Sequence, residues 1–174
     1  MLNKIGLMFF VLVISSTVFA QEKIVLSEKQ TNSSTELWNF SVPNYTYSGN
    51  LEVQIQKKGN GGTLLVQVQV SNPDFYIGGT VYLFLEDGNV ITCTDKKIRS
   101  VSEKLIQSNY ILTPTEINLL KKTKLTDVRF KINGNQTQFS SPTGYFTAHN
   151  AIKSFGLPIK SYDTVEQINQ IFKP

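Results

Sequence analysis

Two side chains carry most of the acid–base and nucleophilic chemistry open to this chain near neutral pH: His149, its one histidine, and Cys93, its one cysteine. Hydrolysis through an activated serine or cysteine needs a base beside the nucleophile. Only His149 could supply an imidazole, and no Gly-x-Ser-x-Gly elbow stands anywhere in the sequence. Zinc sites take three or four His, Cys or acidic ligands at close spacing, which this pair does not offer. A calcium loop would place acids at alternate positions, and no stretch does so. No catalytic residue, metal ligand or cofactor is therefore expected. One hydrolytic route stays open, a pair of carboxylates brought together by the fold about 5–10 Å apart, as in glycosidases. Most acids have a plainer place: Glu116, Asp163 and Glu166 beside helix starts, Asp87 in a turn, Glu52 and Asp127 on the outer side of strands.

Binding is better signalled. The stretch Asn44-Tyr-Thr-Tyr-Ser-Gly-Asn50 carries Tyr45 and Tyr47, which share one side if the chain there is extended. Two amphipathic rings among Asn and Ser side chains suit a sugar or a peptide, by stacking and hydrogen bonding together. Tyr45 and Tyr47 are thus the candidate ligand-binding residues. The plainer role for them is to cover the edge of a sheet.

The elements that would position these groups read mostly as strands. Residues 35–42 alternate, with Trp38, Phe40 and Val42 on one face. Residues 51–57 and 63–70 alternate more cleanly, sending Val53, Ile55, Val66, Val68 and Val70 inward and Gln54, Gln56, Gln67 and Gln69 outward, around a flexible Gly59-Asn-Gly-Gly62 loop. Residues 81–85 and 90–93 are apolar on both faces and meet at Asp87-Gly88. This predicts two central strands, a two-residue type I′ turn with Glu86 facing Asn89, and Cys93 buried opposite Tyr82. A strand over 104–112 leads into Thr113-Pro-Thr-Glu116, a capping box with proline at the first helical position. Ile117 and Leu120 should be buried, with Lys121, Lys122 and Lys124 at the favourable C-terminal end. Residues 126–132 alternate, placing Asp127 and Arg129 together on the solvent face, and Asn133-Gly134 predicts a tight turn back through Gln136 to Phe139. Tyr145, Ala148, Ile152 and Phe155 predict a helix over 143–155, with His149 on its flank. A last helix after Asp163 shows Val165, Ile168 and Phe172.

Strands first and helices late argue for an α+β fold, a mainly antiparallel β-sheet or sandwich with two to three short helices in the C-terminal half. Residues 1–20 read as an export signal: basic Lys4, an apolar run over 5–14, and the small-residue exit Val18-Phe19-Ala20. A membrane span needs about 20 consecutive apolar residues, and this run breaks at Ser15 and Ser16. Residues 21–174 are then one globular domain, exported to the periplasm or secreted, with no stable membrane insertion. Without Lys4 the chain has 16 basic and 13 acidic side chains, in small groups with no stripe. Nucleic acid, which rewards clustered Lys and Arg, is not an expected partner. With one cysteine no internal disulfide forms, so the core alone must hold the fold.

The segments Leu85-Glu-Asp-Gly88, Tyr110-Ile-Leu-Thr-Pro-Thr-Glu-Ile-Asn-Leu-Leu120 and Leu125-Thr-Asp-Val-Arg-Phe130, and Gln21 after the signal, give the chain a pattern. It resembles that of uncharacterised secreted or periplasmic proteins of Bacteroidota. The resemblance implies the compartment and brings no activity or site residues. The expected function is a binding or accessory role toward a protein or glycan partner. The alternative is a small carboxylate-dependent hydrolase.

Overall fold

The computed structural model describes residues 33–135, 142–154 and 157–173; the export signal read over 1–20 lies outside them. The alternating segments pair as their patterns require. In β1 (Trp38–Ser41), β2 (Asn50–Lys58) and β3 (Gly61–Gln69), Trp38 lies opposite Val53 and Val53 opposite Val66, and all three are buried. Pairing continues to Lys58 opposite Gly61, so the turn is Gly59-Asn60 alone and the predicted four-residue loop is shorter. The strand position of Gly61 requires glycine, because a Cβ there would lie 2.5 Å from the Leu112 carbonyl oxygen.

The next elements are β4 (Tyr76–Ile77), β5 (Val81–Leu85), β6 (Val90–Cys93), β7 (Ile98–Ser102), β8 (Leu105–Leu112), α1 (Pro114–Leu120) and β9 (Leu125–Asn133). After them come β10 (Gly144–His149), the small hairpin β11 (Ile152–Ser154) with β12 (Leu157–Lys160), and α2 (Thr164–Ile171). The main sheet is antiparallel throughout and runs β6-β5-β9-β10-β1-β2-β3-β8-β7, with β4 beside β9. It curls into a half-barrel. The inner face holds the core, with Trp38, Phe40, Tyr45, Phe75, Tyr110 and Phe130 among its largest fully buried side chains. The outer face carries the alternate, mostly polar residues.

Five expectations are corrected. Tyr82 faces Thr92 and Val81 faces Cys93, one residue out of the predicted register. The loop is Glu86-Asp87-Gly88, with Gly88 at φ 85° and its N–H on the Leu85 carbonyl; a type I turn closed by a left-handed glycine competes with the two-residue turn. Only β5 is central, since β6 ends the sheet order. Asn133-Gly134 does not turn the chain directly back, because Ile132 pairs with Gly144; Gln136 to Phe139 lie outside the described residues. Finally, residues 144–149 form strand β10 and not a helix. Phe146 and Ala148 point inward while Tyr145, Thr147 and His149 point outward, so the period is two. Short apolar runs satisfy both periods, and six pairs with β9 decide between them.

The structure has two helices among the described residues. In α1, Thr113 Oγ1 accepts from the Glu116 N–H and Glu116 reaches back to the Thr113 N–H, with Ile117 and Leu120 buried, as the capping box predicts. In α2 the buried stripe is Thr164, Ile168 and Ile171, with Val165 and Phe172 only half-buried. Gln167 of α2 accepts a 2.9 Å hydrogen bond from the Trp38 indole, docking the helix on β1. None of the described helices is long and apolar enough to cross a membrane.

Candidate functional site

The segment between β1 and β2 is a series of turns and not extended chain, so Tyr45 and Tyr47 part company. Tyr45 is fully buried, with its ring edge-on to Phe146 at 5.1 Å and its hydroxyl donating to the Gln69 carbonyl at 2.8 Å. It is a core residue that ties the turn to β3. Tyr47 remains 44% exposed and borders two adjoining concavities.

The first concavity, about 430 Å3, lies over the outer face of β1, β2 and β3. Asn39, Ser48, Asn50, Glu52, Gln67 and Gln69 line it. Register explains why they meet: Asn39 stands opposite Glu52 and Glu52 opposite Gln67. The Gln67 amide donates to Glu52 Oε2 at 2.5 Å, and Ser48 Oγ donates to the Asn50 carbonyl at 3.1 Å. These side chains are held before any ligand arrives. The second concavity, about 560 Å3, continues past Tyr47, Gln69 and Leu105 to Ser102, Glu103 and Lys104 at the β7–β8 turn. Together they form a groove running across the strands, polar over β1, β2 and β3 and mixed at the β7–β8 turn, with the Tyr47 ring between the two parts. Such a surface offers amide donors and acceptors, two carboxylates (Glu52 and Glu103), the Lys104 ammonium and one stacking ring.

No family model, curated protein or solved structure matches this chain.

A third concavity, a cleft of about 470 Å3, collects Glu86, Lys124, Asp127, His149, Lys160 and Ser161. Here the placement of His149 on β10 has its consequence. His149 faces Asp127 across the β9–β10 pair, and Nδ1 lies 2.5 Å from Asp127 Oδ1. Asp127 thus pairs with His149 and not with Arg129, whose guanidinium lies 5.1 Å from the Tyr145 ring. A histidine held at Nδ1 by a carboxylate is the base-and-orienter half of a nucleophilic site. The hydroxyl in the same cleft, Ser161 Oγ, accepts instead from Lys124 Nζ at 2.8 Å. The cleft holds the parts of a hydrolytic site without joining them.

Cys93 is buried, and burial together with the charge of Glu116 pushes its thiol up to about 12. No group of three or more metal-ligating side chains occurs among the described residues. The outward Gln67 and Gln69 were legible from alternation. Asn39 and the Ser102–Leu105 turn were not, because only long-range register brings them to the same groove. The Asp127–His149 pair was hidden by the helical reading of 143–155.

Proposed function

We propose that this chain is an exported, periplasmic or secreted binding protein whose ligand is a glycan, held in the Tyr47 groove. The observation that carries the reading is one exposed ring shared by two adjoining concavities, the first of them polar and with its Gln67 amide already held by Glu52. A sugar presents a C–H face that stacks on an aromatic ring and a rim of hydroxyls that pair with amides and carboxylates. A peptide would want an unpaired strand edge or an apolar pocket, whereas the first, polar concavity lies over the faces of β1, β2 and β3, away from the edge strand β7.

The test is a panel of neutral and acidic oligosaccharides beside a panel of unrelated peptides, read by calorimetry on the native protein and on Tyr47→Ala. The expected result is glycan binding that Tyr47→Ala weakens by about tenfold or more, a loss of about 1.4 kcal/mol, with an unchanged unfolding curve. Binding of peptides alone, or glycan binding indifferent to Tyr47, overturns the proposal.

The cleft supports a second reading, since Glu86 and Asp127 line it together and two carboxylates serve glycoside hydrolysis. Cleavage of any bound oligosaccharide, lost in both Glu86→Gln and Asp127→Asn, would make the protein a hydrolase.

A further inference from the structure

The groove and the Asp127–His149 pair lie on one row of the outer face. Asp127 is the register partner of His149, His149 of Ser41, and Ser41 of Asn50, which lines the groove. All four side chains alternate with buried neighbours, so they share the outward side. Adjacent strands lie about 4.8 Å apart. His149 therefore stands only about 10 Å from Asn50, two strand spacings along the row.

From this row we infer that the ligand is a chain, running across the strands from the Tyr47 groove over Ser41 to a second anchoring point at His149 and Asp127. The inference rests on the glycan reading above and deepens it. Ser41 is small, so nothing on β1 blocks the way between the two concavities. The spacing also fits, because a chain of linked pyranose rings advances by about one strand spacing per ring. From the β7–β8 turn to β9 there are six lanes, β8-β3-β2-β1-β10-β9, room for about six rings. The row runs round the outside of a curled sheet, so the chain must bend. A glycan of bent, α-linked rings follows such a surface, whereas a flat ribbon would touch it at one place. His149 and Asp127 supply a donor and an acceptor for the distal hydroxyls. They act here as binding residues, and no bond is broken.

The experiment uses α-1,4-linked glucose oligomers of two to seven rings, titrated into the full chain and into His149→Ala, Ser41→Tyr and Tyr47→Ala. Affinity should rise by about tenfold between three rings and six or seven, because the second contact is made intramolecularly. His149→Ala and Ser41→Tyr should abolish that gain and leave the short oligomers unaffected. Tyr47→Ala should weaken short and long oligomers alike. A flat length profile, or a length gain that survives both His149→Ala and Ser41→Tyr, overturns the continuous track while leaving the groove intact. Absence of binding at every length overturns the α-linked track, and absence of binding across the whole oligosaccharide panel as well overturns the glycan reading itself. Ser41→Tyr adds bulk on a half-buried outward position and His149→Ala removes a side chain that is 45% exposed. The two variants therefore fail to fold for different reasons if they fail at all.

Discussion

Tyr45 and Tyr47 show how little a residue's type says about its work when its neighbour's backbone is unknown. An extended chain would have put both rings on one side. The turns over residues 43–48 instead drive Tyr45 into the core, where its hydroxyl finds the Gln69 carbonyl, and leave Tyr47 at the surface. A buried phenol is stable only if its polar end is satisfied, and that requirement fixes Tyr45. Truncating it should cost about 3–5 kcal/mol, the range for large aromatic core residues. Denaturant unfolding of Tyr45→Ala measures this, beside Tyr47→Ala, which should unfold as the native protein does. Equal stability of the two variants would mean that Tyr45 is not the core residue its burial makes it.

Elements follow local chemistry where that chemistry is self-contained. The α1 start is the clearest case, because Thr113, Pro114 and Glu116 satisfy the first N–H groups among themselves. Thr113→Ala should lower stability by about 1 kcal/mol, and Thr113→Ser should restore it; thermal melts of the two variants decide this. The strands over 50–58, 61–69 and 125–133 were legible for the same reason, since period-two alternation needs no partner to be recognised. Residues 144–149 were not legible. Tyr145, Ala148 and Ile152 fit a helical face, and only the pairing of Phe146 with Phe130 and of Ala148 with Val128 makes the segment a strand. The groove was half legible: Gln67 and Gln69 face outward by alternation, but Asn39, Glu52 and Gln67 meet through pairings distant in sequence. The same holds for Asp127 and His149, whose proximity depends entirely on β10 being a strand.

At the scale of the whole molecule, a sheet that ends in β6 on one side and β7 on the other must be kept from opening. Arg99 of β7 does much of this. Its Nε donates to the Ile77 carbonyl of β4 at 2.8 Å, its guanidinium lies 4.8 Å from the Tyr76 ring, and it pairs with Asp95. Gly78 makes room, because a Cβ there would lie 2.7 Å from the guanidinium. Tyr110 of β8 adds a hydroxyl bond to the Gly79 carbonyl at 3.1 Å. Asp95 is the hub, accepting from the Gly79 N–H at 2.8 Å and the Lys97 N–H at 2.7 Å as well as from Arg99. Burial pushes the Asp95 carboxyl up, but the two backbone N–H groups and the guanidinium outweigh it and hold the group below the usual carboxylate range. A carboxyl whose folded pKa is depressed contributes stability that is fully present above its unfolded pKa, about 3.9, and is lost as pH falls through the folded value. Asp95→Asn keeps the shape and removes the charge. It should cost about 1.5–3 kcal/mol at pH 7, the range for hydrogen bonds to a charged group. Its stability should also fall less steeply than that of the native protein between about pH 4 and pH 2. Denaturant unfolding across that range checks both. Parallel curves at every pH would show that the sheet is held closed without the Asp95 charge, leaving the Ile77 and Tyr76 contacts of Arg99 to close it.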